Sequence, residues 1–383
     1  MAIGVWVAIG SRDESLEQGG VSHFLEHLLF KGTTTRSAVD ISRAVDRVGG
    51  DINAFTSKEY TAYYCRLPRR HIDTGIELLG DVLTASTLAD DDVESERQVI
   101  LEELAMDDDA PDDVALRTLT RCLFPGHGLG RETAGDRATV KSITAADVRD
   151  FHQRFYRTGN TVIAVAGDVG HDEVRSAIEP AFAAMGEGAD RPSRAAPAGV
   201  DDGGATLDDD TEQIHLAIGG RALARDDVDR EVLDVVNHVF GGGLSSRLFD
   251  EIRERRGLAY SVFSATSTYA GTGSWSVYAG TMPDHAEEVE RLIDLERRRL
   301  VADGITDEEL DVATGYLTGA YELGLEDTGA RMSRLGAMLV TLGYVIPVDE
   351  QLARWDAVSS EDVRRVLERV YAPGPVTVRV GPF

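Results

Sequence analysis

His23-Phe24-Leu25-Glu26-His27 gathers two imidazoles and a carboxylate within about one helical turn. On a helix, His23 and His27 are four apart and project from the same face, and Glu26 shares their stripe. Phe24, Leu25, Leu28 and Leu29 fall on the other side, which predicts a helix bedded against a core. Two neutral imidazoles at i, i+4 suit a tetrahedral zinc ion, and a carboxylate beside them can take a proton from a water that the metal activates. The competing reading is a solvated polar stripe with two incidental histidines. The rest of the chain has to decide between them.

A catalytic zinc takes three protein ligands, so one more donor must come from elsewhere. The segment from Asp91 to Met106 predicts a helix, opening on an Asp cap with acids in its first turn. Within it Glu96, Val99, Ile100 and Glu103 recur at i, i+3, i+4 and i+7, setting two carboxylates on an inward stripe. Buried acids are costly unless they are paired or hold a metal. Glu103 is therefore expected as the third ligand and Glu96 as the partner that orients a histidine ring. Glu102 points about 100° away and is expected in solvent. An incidental acidic helix in an acidic chain is the alternative.

With 383 residues and 42% hydrophobic content the chain can build two domains with cores. No apolar run approaches a membrane span, and the apolar start from Ala2 to Ile9 reads as a strand because it has no basic flank or small-residue cleavage site. A cytoplasmic protein without membrane partners is expected. Cys65 and Cys122 belong to no C-x-x-C pair and read as core residues. The net charge of −28 argues against nucleic-acid partners and would draw in basic peptides. Only three lysines (Lys31, Lys58 and Lys141) stand against 36 arginines, and 39 of the 67 acids are Asp. The acids are spread along the chain rather than blocked together, a pattern that fits host salt adaptation or genome composition better than a substrate patch.

Residues 188–205 have a linker composition rich in Gly, Ala, Pro and Asp, and the chain repeats itself on either side. Ala146 to Tyr156 matches Glu361 to Tyr371 without a gap at an offset of 215, and each is followed by an alternating strand, 161–165 and 376–380. Val5 to Gly10 resembles His215 to Gly219, and Gly49 to Thr56 resembles Gly257 to Ser264. Two strand-bearing halves with amphipathic helices between them predict a duplicated α+β fold, with a catalytic half at 1–187, a linker at 188–205 and a second half at 206–383.

The stretch Gly19 to Thr33 (GGVSHFLEHLLFKGT), with Glu103 76 positions after His27, closely resembles the signature of the M16 metallopeptidases, the pitrilysin and insulin-degrading-enzyme group of inverzincins. The length points to their mitochondrial-processing-peptidase-like branch. Glu96 to Glu103 (ERQVILEE) and Ser245 to Ser261 (SSRLFDEIRERRGLAYS) match as well. The resemblance implies LuxS/MPP-like halves, each an antiparallel-rich sheet packed against helices. It implies a metalloendopeptidase with one Zn²⁺ per chain, held by His23, His27 and Glu103, with Glu26 as general base. Arg253 and Tyr260 would contact substrate and help stabilise the oxyanion. The strand around Asn53, Ala54 and Phe55 would pair with an extended peptide, and Phe30 would line the adjacent pocket. Two copies would form a homodimer enclosing a chamber. A non-catalytic core subunit of the same fold, or a heterodimer's processing partner, would also share this architecture; the intact metal motif and the Arg/Tyr pair in one chain argue against both. Members of this branch begin with a further strand before Gly4, so Gly4 to Ile9 is expected to lack an edge partner and lie exposed.

Gly126 to Gly130 and Gly241 to Gly243 look like phosphate-cradling loops but lack G-K-[ST] and Rossmann spacing, so no nucleotide site is expected. The remaining histidines have no motif partners.

Overall fold

The computed structural model describes residues 1–383. The first part of the chain runs β1 (Ala2–Val7), α1 (Val21–Leu28), α2 (Ala38–Asp46), β2 (Asp51–Thr56), β3 (Thr61–Arg66), α3 (Ile72–Thr84), α4 (Asp90–Asp108) and α5 (Pro111–Leu123). There follow α6 (Arg137–Ser142), α7 (Ala145–Phe155), β4 (Thr161–Ala166) and α8 (His171–Ala181). The second part runs β5 (Ala205–Asp208), β6 (Ile214–Ala222), α9 (Arg230–Asn237), β7 (Ala259–Tyr269) and β8 (Thr272–Thr281). It closes with α10 (Ala286–Asp303), α11 (Asp307–Gly324), α12 (Thr328–Leu342), α13 (Val348–Asp356), α14 (Ser360–Val366) and β9 (Val376–Gly381).

The first sheet has the order β2-β3-β1-β4 and is antiparallel throughout, with Val5 opposite Tyr63 on one side and Ile163 on the other. Its central strand is apolar at nearly every position because both of its faces are covered. Ile3, Val5 and Val7 enter a core with Phe24, Leu25 and Leu28 of α1, Ile76 and Leu79 of α3 and Phe151 of α7. Ala2, Trp6 and Ala8 face the other way, with Ala62, Ala164 and Ala166, onto Met332 and Val340 of α12. The small alanines let that helix come close. At Gly336 a Cβ would lie 2.2 Å from the Trp6 ring, so glycine is kept mid-helix despite costing about 1 kcal/mol there.

Gly4 to Ile9 are all buried and β1 is paired on both sides. The expectation that this segment would be exposed for want of a partner is therefore overturned. β2 and β4 are the free edges.

The second sheet has the order β5-β9-β6-β8-β7, antiparallel except for the parallel β5–β9 pair. Read as β7-β8-β6-β9, it repeats the first sheet strand for strand, as the sequence echoes require. One face packs Leu216, Ile218 and Val277 against α9, α10 and α14. The other packs Ala217, Val376, Val378 and Val380 against Ala115, Leu119 and Leu123 of α5.

Packing thus divides the chain differently from the linear division at 188–205. One compact unit comprises 1–105, 131–193 and 322–345, and the other 106–130, 194–321 and 346–383. The reason is helix exchange: α5 covers the second sheet and α12 the first, each from the opposite half of the sequence. No helix is long and apolar enough to cross a membrane.

Candidate metal centre

α1 begins where Glu14 meets its first amides. The backbone N–H groups of Gly20 and Ser22 donate to the two oxygens of the Glu14 carboxylate, each at 2.8 Å, which satisfies donors that a helix start otherwise leaves open. Gly20 sits at φ +93°, and a Cβ there would meet the Ala134 carbonyl oxygen at 2.4 Å, so no other residue fits. Burial pushes the Glu14 carboxyl up to about 7, against the pull of the Ser22 and Gly20 amides and the Arg131 guanidinium. With its start fixed and Phe24, Leu25, Leu28 and Leu29 buried behind it, α1 presents His23, Glu26 and His27 on its half-buried face.

α4 supplies the two glutamates. Its buried residues are Val93, Glu96, Arg97, Ile100 and Leu104. Val99, expected inward, is 39% exposed, and Glu102 is exposed as expected. Glu103 flanks the buried stripe and its side chain is 42% exposed, reaching sideways toward the histidines.

His27 Nε2 lies 3.2 Å from His23 Nε2, and Glu103 Oε2 lies 3.6 Å from the first and 3.9 Å from the second. Ligands about 2.0–2.1 Å from one tetrahedral centre stand roughly 3.3 Å apart, so this donor set fits zinc in spacing as well as in type. His27 Nδ1 lies 2.9 Å from Glu96 Oε1. An ionised carboxylate only accepts, so that bond leaves the proton on Nδ1 and the lone pair on Nε2, turned toward His23 and Glu103. Burial, and then the neighbouring His27, lower the His23 imidazole to about 4, which keeps the ring neutral as a ligand must be. His23 Nδ1 is buried with no partner, so nothing orients this ring as Glu96 orients the other.

Two contacts escape a reading of the sequence. Thr56 Oγ1 donates to Glu26 Oε2 at 2.5 Å. Burial raises the Glu26 carboxyl above the usual range, and the Thr56 bond opposes that. The available signal is the alternation of β2, in which Ile52, Ala54 and Thr56 are the less exposed positions and Thr56 is the polar end of the row. Lys31 pairs with Glu96 through Oε2, so Glu96 joins an ammonium to the His27 ring. Its signal is rarity, as one of three lysines.

Arg253 and Tyr260 belong to the other unit. Arg253 is carried by a π-helical turn, Phe249–Glu254, and donates from Nη1 to the Tyr260 carbonyl at 3.0 Å. Its guanidinium lies over the Phe249 and Tyr260 rings, at 4.7 and 4.6 Å from their centroids. Tyr260 sits in a bulge of β7 between Ala259 and Ser261, which turns its side chain outward to 80% exposure. In the first unit, Asn53 and Phe55 are exposed on β2, Ala54 packs against the core, and half-buried Phe30 lies against the Tyr63 ring at 6.1 Å.

Residues 1–137 match the family described as Insulinase (Peptidase family M16), and residues 142–314 match the Peptidase M16 inactive domain. An uncharacterized zinc protease of Streptomyces coelicolor is 42% identical over 99% of this chain and 84% of its own length. The uncharacterized zinc protease YmxG of Bacillus subtilis is 35% identical over 100% of this chain and 92% of its own length. A protease from Helicobacter pylori shares the fold, with a TM-score of 0.92 at 24% identity over 100% of this chain and 93% of that one.

Proposed function

The chain belongs to peptidase family M16, and on that premise we propose that it is a zinc-dependent endopeptidase cutting extended peptides or unfolded segments. The observation that supports this reading is the convergence of His23 Nε2, His27 Nε2 and Glu103 Oε2 beside the carboxylate of Glu26. Those three residues would hold one zinc ion per chain. Such an ion supplies Lewis acidity, which acidifies a water and polarises a carbonyl. Glu26 takes the proton of the attacking water and returns it to the leaving amine. Glu96, backed by Lys31, keeps the His27 ring in the binding tautomer. An extended substrate adds to the free edge of β2 around Asn53, Ala54 and Phe55, with Phe30 lining a side-chain pocket. Arg253 and Tyr260 hold the substrate backbone and help stabilise the oxyanion. The working form is a homodimer enclosing the substrate.

Metal analysis after dialysis, paired with cleavage of a quenched basic peptide with and without chelator, tests the reading. About one zinc per chain and chelator-sensitive, zinc-restored cleavage are expected. A zinc-loaded chain that cuts no extended peptide would instead be a scaffold of the same fold.

A further inference from the structure

β2 is an edge strand, and its last residue reaches the carboxylate of Glu26. Its outward residues Asn53 and Phe55 are exposed, while Ile52 and Ala54 pack on the core that backs α1. Thr56 continues that inward row, so its hydroxyl arrives where the core gives way to polar groups. The strand end is firmly held. Thr56 is opposite Thr61, which is in turn opposite Val7 of β1, and Ser57 closes the hairpin by donating from N and Oγ to the Tyr60 carbonyl at 2.9 and 2.8 Å.

A glutamate side chain has several rotatable bonds and no intrinsic orientation. A threonine is stiff at χ1, so a hydroxyl on this strand end is a fixed donor. The 2.5 Å contact is typical of a hydroxyl donating to a carboxylate, and no other side chain hydrogen-bonds to Glu26. Thr56 therefore anchors the carboxylate through Oε2.

We propose that Thr56 is a positioning residue that ties the orientation of Glu26 to the strand on which substrate docks. The inference rests on the reading of Glu26 as base and β2 as substrate edge. Because that strand end is already fixed, the carboxylate keeps one orientation relative to the edge along which a peptide pairs, and a peptide in register meets an aligned base. A substrate that fails to pair along β2 presents its scissile bond out of register with that base, so selection for extended chains acts on turnover as well as on affinity.

The test compares Thr56→Val, Thr56→Ser, Glu26→Gln and the double variant Thr56→Val/Glu26→Gln as zinc-loaded proteins of measured metal content and melting temperature. Thr56→Val should keep its zinc and hold KM within about twofold while kcat falls about 10- to 100-fold, part of the 10²–10⁴ that general base catalysis supplies. Thr56→Ser should recover most of kcat. Adding Thr56→Val to Glu26→Gln should cost little more. Thr56→Val with wild-type kcat, a serine variant as impaired as the valine one, or a double variant in which the two losses multiply would each overturn the proposal. Wild-type kcat in Glu26→Gln would instead overturn the assignment of the base. Should Thr56→Val not fold, Thr56→Ala is read against Thr56→Ser in the same way.

Discussion

Glu103 lies among the converging donor atoms with a side chain still 42% exposed, as the proposed ligand of an open site would. Glu96 is buried and reaches the proposed site only through its hydrogen bond to His27. These unequal settings order the expected losses. Glu103→Ala should weaken zinc binding beyond the roughly 10–100-fold that losing an outer partner costs, Glu96→Gln should fall within that range, and Glu102→Ala should leave it unchanged. Competitive metal titration checks the order, and equal retention by the Glu103 and Glu102 variants would remove Glu103 from the ligand set. Glu26→Gln should bind zinc and lose nearly all turnover, since it keeps the shape but not the base. Appreciable hydrolysis by the zinc-loaded variant removes that role. The pairing of histidines four apart is legible in the sequence because helical geometry alone dictates it. Lys31 and Thr56 are not, because their partners come from other elements and no spacing along the chain announces them.

α1 owes its start to a carboxylate from the preceding loop, and that carboxylate is held near 7 by burial. Its folded value lies above the ordinary 4.5, so its stabilising contribution is full below about pH 4.5 and is lost as pH rises through 7. The melting temperature of the wild type should therefore decline between pH 5 and 8 more than that of Glu14→Gln, which has no proton to lose. Parallel profiles would show that Glu14 does not titrate there. At this scale the sequence is partly transparent. The gapless echo of 146–156 in 361–371 appears as α7 and α14 with its continuation, each followed by the matching strand, β4 or β9. The bulge at Tyr260 is hidden, because Ala259 to Ser264 alternates no differently from a regular strand until its partner's register is known. Val99 misleads because one apolar residue beside a stripe looks the same as one within it.

Across the whole molecule the charge of −28 sets the long-range electrostatics. If it reflects a salt-loving host, stability should rise as the screening length shrinks from about 10 Å at 0.1 M to about 3 Å at 1 M salt. A melting temperature flat across that range would remove salt adaptation as the cause. The proposed homodimer, with the zinc residues of one copy working beside Arg253 and Tyr260 of the other, has its own check. Mixing Glu26→Gln chains with Tyr260→Phe chains should restore part of the activity, because exchange creates one site with both lesions and one with neither. Verified mixed dimers without recovery, or a fully active monomer, would rule it out. The helix exchange also predicts that residues 1–187 made alone will be unstable, because nothing covers the Trp6 face of the first sheet, and that supplying 206–383 in the same cell will rescue them. A soluble, cooperatively melting 1–187 fragment would contradict this.

That exchange also sets a timetable for birth on the ribosome. β4 closes the first sheet at Ala166, but α12 does not begin until Thr328. Roughly 160 residues of synthesis separate them, on the order of 10–30 s at ordinary elongation rates. Through that interval all four strands of the first sheet have been made, while the helix that covers Trp6 and its ring of alanines has not. The interval is long enough for a chaperone to engage that face, and the first unit cannot be completed before α12 has been made.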